Sequence, residues 1–171
     1  MWWTSINHGL LAQGDLIPDC LLPVFHEEPL SVGSEPAEQE VYRGNLIVVT
    51  HSCDLENRKA MFVALCPIHT LVEFAEVNPE LKKGGAWESV RKGRVEGLHL
   101  LASPERPDDN HSALVVNFRH IVSLPTDYLS NHAARLGNRW RLSSLFLEHF
   151  SQSFARFFMR VGLPSAISPY R

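Results

Sequence analysis

Asn45-Leu46-Ile47-Val48-Val49-Thr50 is a nearly continuous apolar run rich in β-branched residues, the pattern of a strand buried on both faces. Ala60-Met61-Phe62-Val63-Ala64-Leu65-Cys66-Pro67-Ile68 repeats that pattern after the polar connection His51-Ser52-Cys53-Asp54-Leu55-Glu56-Asn57-Arg58. A link this short makes the two strands neighbours in one sheet. Upstream, Gln13-Gly14-Asp15 ends an irregular start, and residues 16–25 read as a strand interrupted by Pro18 and Pro23. Neither proline can donate to a ladder, so this strand should be an edge, bent or bulged. Residues 26–40 are acidic and carry Pro29, Gly33, Ser34 and Pro36 without an apolar period, which predicts a loop.

Downstream the pattern changes. Leu71, Phe74 and Val77 fit one face of a helix, Pro79 can open a further turn, and Gly84-Gly85 interrupts it. Residues 73–94 therefore read as a helical insertion, and Lys82, Lys83, Arg91, Lys92 and Arg94 make it strongly basic. Residues 98–103, 112–118 and 121–124 read as strands, with Pro125 ending the last. The clearest helix covers residues 144–161. Phe146, Leu147, Phe150, Phe154, Phe157, Phe158 and Val161 recur on one face, Ser143 or Ser144 can cap its start, and Gly162 suits its end. That stripe reads as core, and Trp2 and Trp3 read as packing residues, against the terminal helix or a partner. The order predicts a single domain, mostly β with helices: a small antiparallel barrel or rolled sheet with a helical insertion and a C-terminal amphipathic helix.

Composition bounds the function classes. The chain has 171 residues, 44% hydrophobic and 20% charged, enough for one core and too apolar for wholesale disorder. No apolar run is long enough for a membrane span, and Met1-Trp2-Trp3-Thr4 lacks a basic signal-peptide start. Three cysteines, Cys20, Cys53 and Cys66, are too few for a disulfide scaffold and favour a cytoplasmic setting. The net charge of −3 conceals a split, −7 over residues 1–58 and +4 over the remainder. The basic part is compatible with a polyanion such as RNA. Arg135, Arg139, Arg141, Arg156 and Arg160, with Trp140 among them, make a second basic patch that stacking on RNA could use.

Gln13-Gly14-Asp15-Leu16-Ile17, Arg43-Gly44-Asn45-Leu46-Ile47-Val48-Val49, Val63-Ala64-Leu65-Cys66-Pro67-Ile68-His69-Thr70 and Ser112-Ala113-Leu114-Val115-Val116-Asn117-Phe118-Arg119 occur in an order that resembles the MazF/PemK family of toxin endoribonucleases. The resemblance spans residues 10–125 and the terminal helix. It implies an SH3-like barrel over residues 10–125, carrying the insertion, with residues 126–171 as a helical C-terminal segment. It also implies a metal-independent endoribonuclease, or a diverged relative, that cleaves RNA by 2′-OH attack. Expected partners are RNA, an antitoxin-like protein and a second copy of the chain. Gly44 stands where the family has proline, and His69 where it has its threonine, one place before Thr70.

On that pattern Arg43 would clamp the phosphate, and His69 or Thr70 together with His51 would move protons. Ser52 and Asn57 would position the strand, and Lys82, Lys83 and Arg91 would supply further phosphate contacts. Three alternatives stay open. The same scaffold can serve as a non-catalytic interaction module in a toxin–antitoxin or defence system. Cys53, Cys66, His51 and His69 offer a donor set for zinc, although their spacing matches no zinc module, and the first expectation is no cofactor. Cys53 beside a histidine, oriented by Asp54, offers a thiol nucleophile.

Overall fold

The computed structural model describes residues 1–24 and 40–159. The two apolar runs become β3 (Val41–Val48) and β4 (Phe62–Thr70), paired antiparallel from Leu46↔Pro67 to Val48↔Leu65. The polar link between them holds a short helix, α1 (Ser52–Glu56). β2 (Leu16–Pro23) pairs with β3, and its register shifts between Ile17 and Cys20. The missing N–H of Pro18 and the left-handed φ of 55° at Asp19 coincide with that irregularity, so the expected break in the strand is present.

β4 then changes partners. Its first half pairs with β7 (Val122–Pro125), and its last residues pair with β6 (Leu114–Asn117), which pairs with β5 (Leu98–Leu101). The result is a six-stranded antiparallel sheet of order β2-β3-β4-β6-β5 with β7 branching from β4. No pairing joins β2 to β5 among the described residues. The insertion is helical as expected: α2 (Leu71–Val77), a 3₁₀ turn (Pro79–Lys82) and α3 (Ala86–Arg91).

Two parts differ from the sequence reading. The irregular start contains β1 (Trp3–Ile6), which pairs with β8 (Arg139–Leu142). The segment after residue 126 is therefore not wholly helical: α4 (Thr126–Leu136), β8 and α5 (Phe146–Phe158) follow one another. A four-residue strand with polar alternate residues has no periodic signal of its own, and its partner lies at the other end of the chain. Gly162 and nearly all of the acidic stretch 26–40 lie outside the described residues.

Alternation along β3 builds two cores. Leu46 and Val48 face a cluster closed by Leu129 and Ala133 of α4. Ile47 and Val49 face a second cluster, closed by Phe150 of α5 with Trp3, Phe118 and Leu142. Phe146, Leu147, Phe150, Phe154 and Phe157 of the stripe are thus core, whereas Phe158 is half exposed and Val161 lies outside the described residues; Trp2 stacks on Phe146 with ring centres 3.9 Å apart. A third cluster lies under the insertion, where Phe74, Leu81 and Val90 cover Leu98 and Val115. Fully buried Asp15 joins the two sheets: its carboxylate accepts hydrogen bonds from Arg139 Nε at 2.8 Å and from Arg141, whose guanidinium also reaches the Leu10 carbonyl. Among the described residues no helix is long and apolar enough to cross a membrane.

Candidate functional site, an aromatic and basic cleft

Residues Leu98, His99, Leu100 and Leu101 of β5 alternate between two environments. Leu98 and Leu100 pack under the insertion, while Leu101 faces α5. His99 therefore projects to the α5 side, where its ring lies 5.8 Å from Phe118, 5.8 Å from Phe150 and 5.2 Å from His149. These groups border a cleft of about 710 Å³. One wall is the end of α3 and the following loop, with Arg91, Lys92, Gly93, Val95, Glu96 and Gly97. The other is a single face of α5, where His149, Ser153, Arg156 and Phe157 fall at helical spacing. Trp2 and Phe118 complete the aromatic lining.

Gly97 is required by the meeting of these walls. Its φ is +80°, and a Cβ there would stand 2.7 Å from Arg119 Cγ and 3.0 Å from Phe157 Cε2. Without a side chain, the loop lets Arg119 donate to the Glu96 carbonyl while Phe118 N–H bonds the Gly97 carbonyl at 2.8 Å. The rim carries both signs of charge, with cations on each side and Glu96 among the residues of the α3 loop. Arg91 and Lys92 share Glu88, at 2.7 and 3.0 Å, and their hydrogen bonds hold that carboxyl down to about 2. Arg156 adds a further exposed guanidinium opposite them.

His99 is the unusual member. It is only 8% exposed, and its Nε2 has no hydrogen-bond partner among the described residues. Burial, and then the neighbouring His149, push its pKa down to about 4, so the imidazole is neutral at physiological pH. A neutral imidazole presents one donor and one acceptor nitrogen.

The residues singled out in the sequence do not assemble into one centre. Arg43 pairs with Leu21 of β2 and donates to the Asp19 carbonyl at 3.4 Å, on the side of the sheet path away from β6. His69 pairs with Val115 of β6 and packs on Phe74 at 5.5 Å; burial first, and then His120, lower its pKa against the opposing pull of Glu73. β3 and β4 part at Leu46↔Pro67, so Arg43 and His69 follow different partners. Thr70 caps α2, with its hydroxyl and backbone engaged in a reciprocal pair with Glu73.

His51 sits at the other end of β4. It follows Thr50, whose N–H bonds Ala64, five residues before His69, or about 17 Å of strand. His51 Nδ1 accepts from Cys53 N–H at 3.3 Å and so caps α1. Ser52 accepts from Gln13 N–H at 3.1 Å, and Asn57 donates to the Cys53 carbonyl at 2.6 Å. Lys82 and Lys83 border a separate open groove of about 640 Å³ with Trp87 and Gly84-Gly85. Of the expected contact residues, Arg91 alone lines the main cleft.

The zinc set is likewise dispersed. Cys66 is buried in the core opposite Ile47, and burial raises its thiol to about 12, whereas Cys53 is exposed on α1. No group of three or more His, Cys, Asp or Glu side chains converges among the described residues. The cleft itself carries a signal in the sequence, since His99 is the one polar residue in Leu98-His99-Leu100-Leu101. Arg156 and Phe157 were legible as members of the basic patch and the Phe stripe, but not as walls of one cleft. No protein-family model, curated protein or solved structure matches the chain.

Proposed function

We propose that this chain is an RNA-binding protein, on a scaffold of the MazF/PemK kind, and that single-stranded RNA lies in the cleft between α3 and α5. The observation that carries the reading is the combination of an aromatic lining with cations on opposite rims. Unstacked bases gain most from aromatic faces, and phosphates are held by Arg and Lys; together these are the requirements of single-strand binding. The volume falls in the range of small-ligand pockets, which suits one or two nucleotides rather than a duplex. Titration of a fluorescent single-stranded RNA, with an RNA duplex of equal length as competitor, tests it. Saturable binding that the duplex competes for poorly is expected, and no binding defeats it.

Metal-independent cleavage is the second reading, and the placement of His149 and Arg156 two turns apart on the face of α5 that lines the cleft favours it. His149 would take the proton of the 2′-OH as that oxygen attacks phosphorus, and Arg156 would hold the charge on the phosphate. The 5′-oxygen leaves with a proton from solvent, giving a 2′,3′-cyclic phosphate and a 5′-hydroxyl. Incubation of RNA in excess chelator, with analysis of the new ends, decides between binding alone and cleavage. The family resemblance adds an antitoxin-like partner, a homodimer and a cytoplasmic setting to the proposal, and light scattering on purified protein tests the dimer.

A further inference from the structure

We propose that the cleft is a receptor for one unstacked nucleobase, placed between Trp2 and Phe157, with Nε2 of His99 hydrogen-bonding the edge of the base and buried Phe118 backing the His99 ring. This rests on the RNA reading above and adds what that reading lacks, a group that recognises the base rather than the backbone.

A buried polar atom without a partner is costly, so it is rare unless something occupies it in the functional state. His99 lies in the wall of the cleft, on a strand whose neighbouring residues are all apolar, and its Nε2 is buried without a partner among the described residues. The other ingredients of base recognition surround it. Trp2, Phe118 and Phe157 line the same cleft, and so does Arg156, whose guanidinium can take a phosphate. Because the ring is neutral, it offers base edges a directional donor or acceptor instead of a charge that any phosphate would satisfy. His99 thus belongs to specificity, and the rim cations to affinity.

The experiment compares four 5′-mononucleotides with ribose 5-phosphate, which keeps the phosphate and lacks the base. At least one nucleotide should bind the full-length protein tenfold or more tightly than ribose 5-phosphate. His99→Phe retains an aromatic ring and should reduce that ratio at least threefold without changing the affinity for ribose 5-phosphate. On the unsubstituted protein, the ¹⁵N resonance of His99 Nε2 should move on adding the preferred nucleotide and stay in place on adding ribose 5-phosphate. That second measurement stands even where His99→Phe fails to fold. The inference falls if nucleotides bind no better than ribose 5-phosphate, or if the resonance is indifferent to the base, as it would be were a trapped water the natural partner. If RNA still binds and Arg156→Ala weakens it, only base recognition is lost; if no RNA binds at all, the RNA reading fails with it.

Discussion

Asp15 shows how much one side chain can carry. Its carboxylate is fully buried and faces two guanidinium groups, of which Arg139 is nearly as buried. Removing the anion strands Arg139 in the interior, and breaking one side of a buried pair costs about 3–5 kcal/mol. Asp15→Ala should lower stability in urea by that amount, and Arg43→Ala, an exposed position, by far less. His99 makes an opposite, pH-dependent contribution. Its pKa falls from an ordinary 6.5 to about 4 on folding, so the unfolded chain binds the proton first. Stability is complete above pH 6.5 and declines as pH falls toward 4, by up to about 3 kcal/mol. Urea titrations at pH 7.5 and 4.5 should show His99→Phe losing less stability on acidification than the unsubstituted protein. In the sequence Asp15 stood out only through a motif, because its partners lie 124 and 126 residues away. His99 drew no reading of its own within the strand expected at 98–103, since a lone polar residue among leucines carries no sign of what it faces.

Helices and strands differed in how plainly their residues announced them. The Phe spacing of α5 and the β-branched runs of β3 and β4 are local patterns, and each element overlaps the stretch the sequence predicts, although β3 starts four residues before its apolar run. β1 and β8 are defined only by pairing with each other, so neither has a signature that survives in isolation. The change of partner along β4 is equally invisible, and it is what separates Arg43 from His69. Thr70 illustrates the same point for a candidate catalytic residue: its hydroxyl closes the first turn of α2 with Glu73. Thr70→Ala should destabilise the protein by about 1 kcal/mol, the usual worth of such a cap. Its affinity for single-stranded RNA should be unchanged, whereas a role for Thr70 at the phosphate would show as weaker binding.

Across the molecule, the charge split acquires a location. The acidic excess belongs to the first third of the chain, and much of it to residues 26–40. Arg91 and Lys92 at the α3 end and Arg156 on α5 put cations on opposite rims of the cleft, with Glu88 and Glu96 beside the first two, while Trp2, Phe118 and Phe157 line it. RNA held this way releases counterions. With about three phosphates neutralised, affinity should fall roughly tenfold or somewhat more between 50 and 200 mM salt. A flat salt response would indicate that the rim is not engaged. The most direct test of the account is the affinity for a short fluorescent single-stranded RNA, measured by anisotropy at low salt with the unsubstituted protein and with Lys92→Ala plus Arg156→Ala. Saturable binding is expected, weakening at least tenfold in the doubly substituted protein while its melting temperature holds. Absence of binding, or equal affinity for the two proteins, would contradict it.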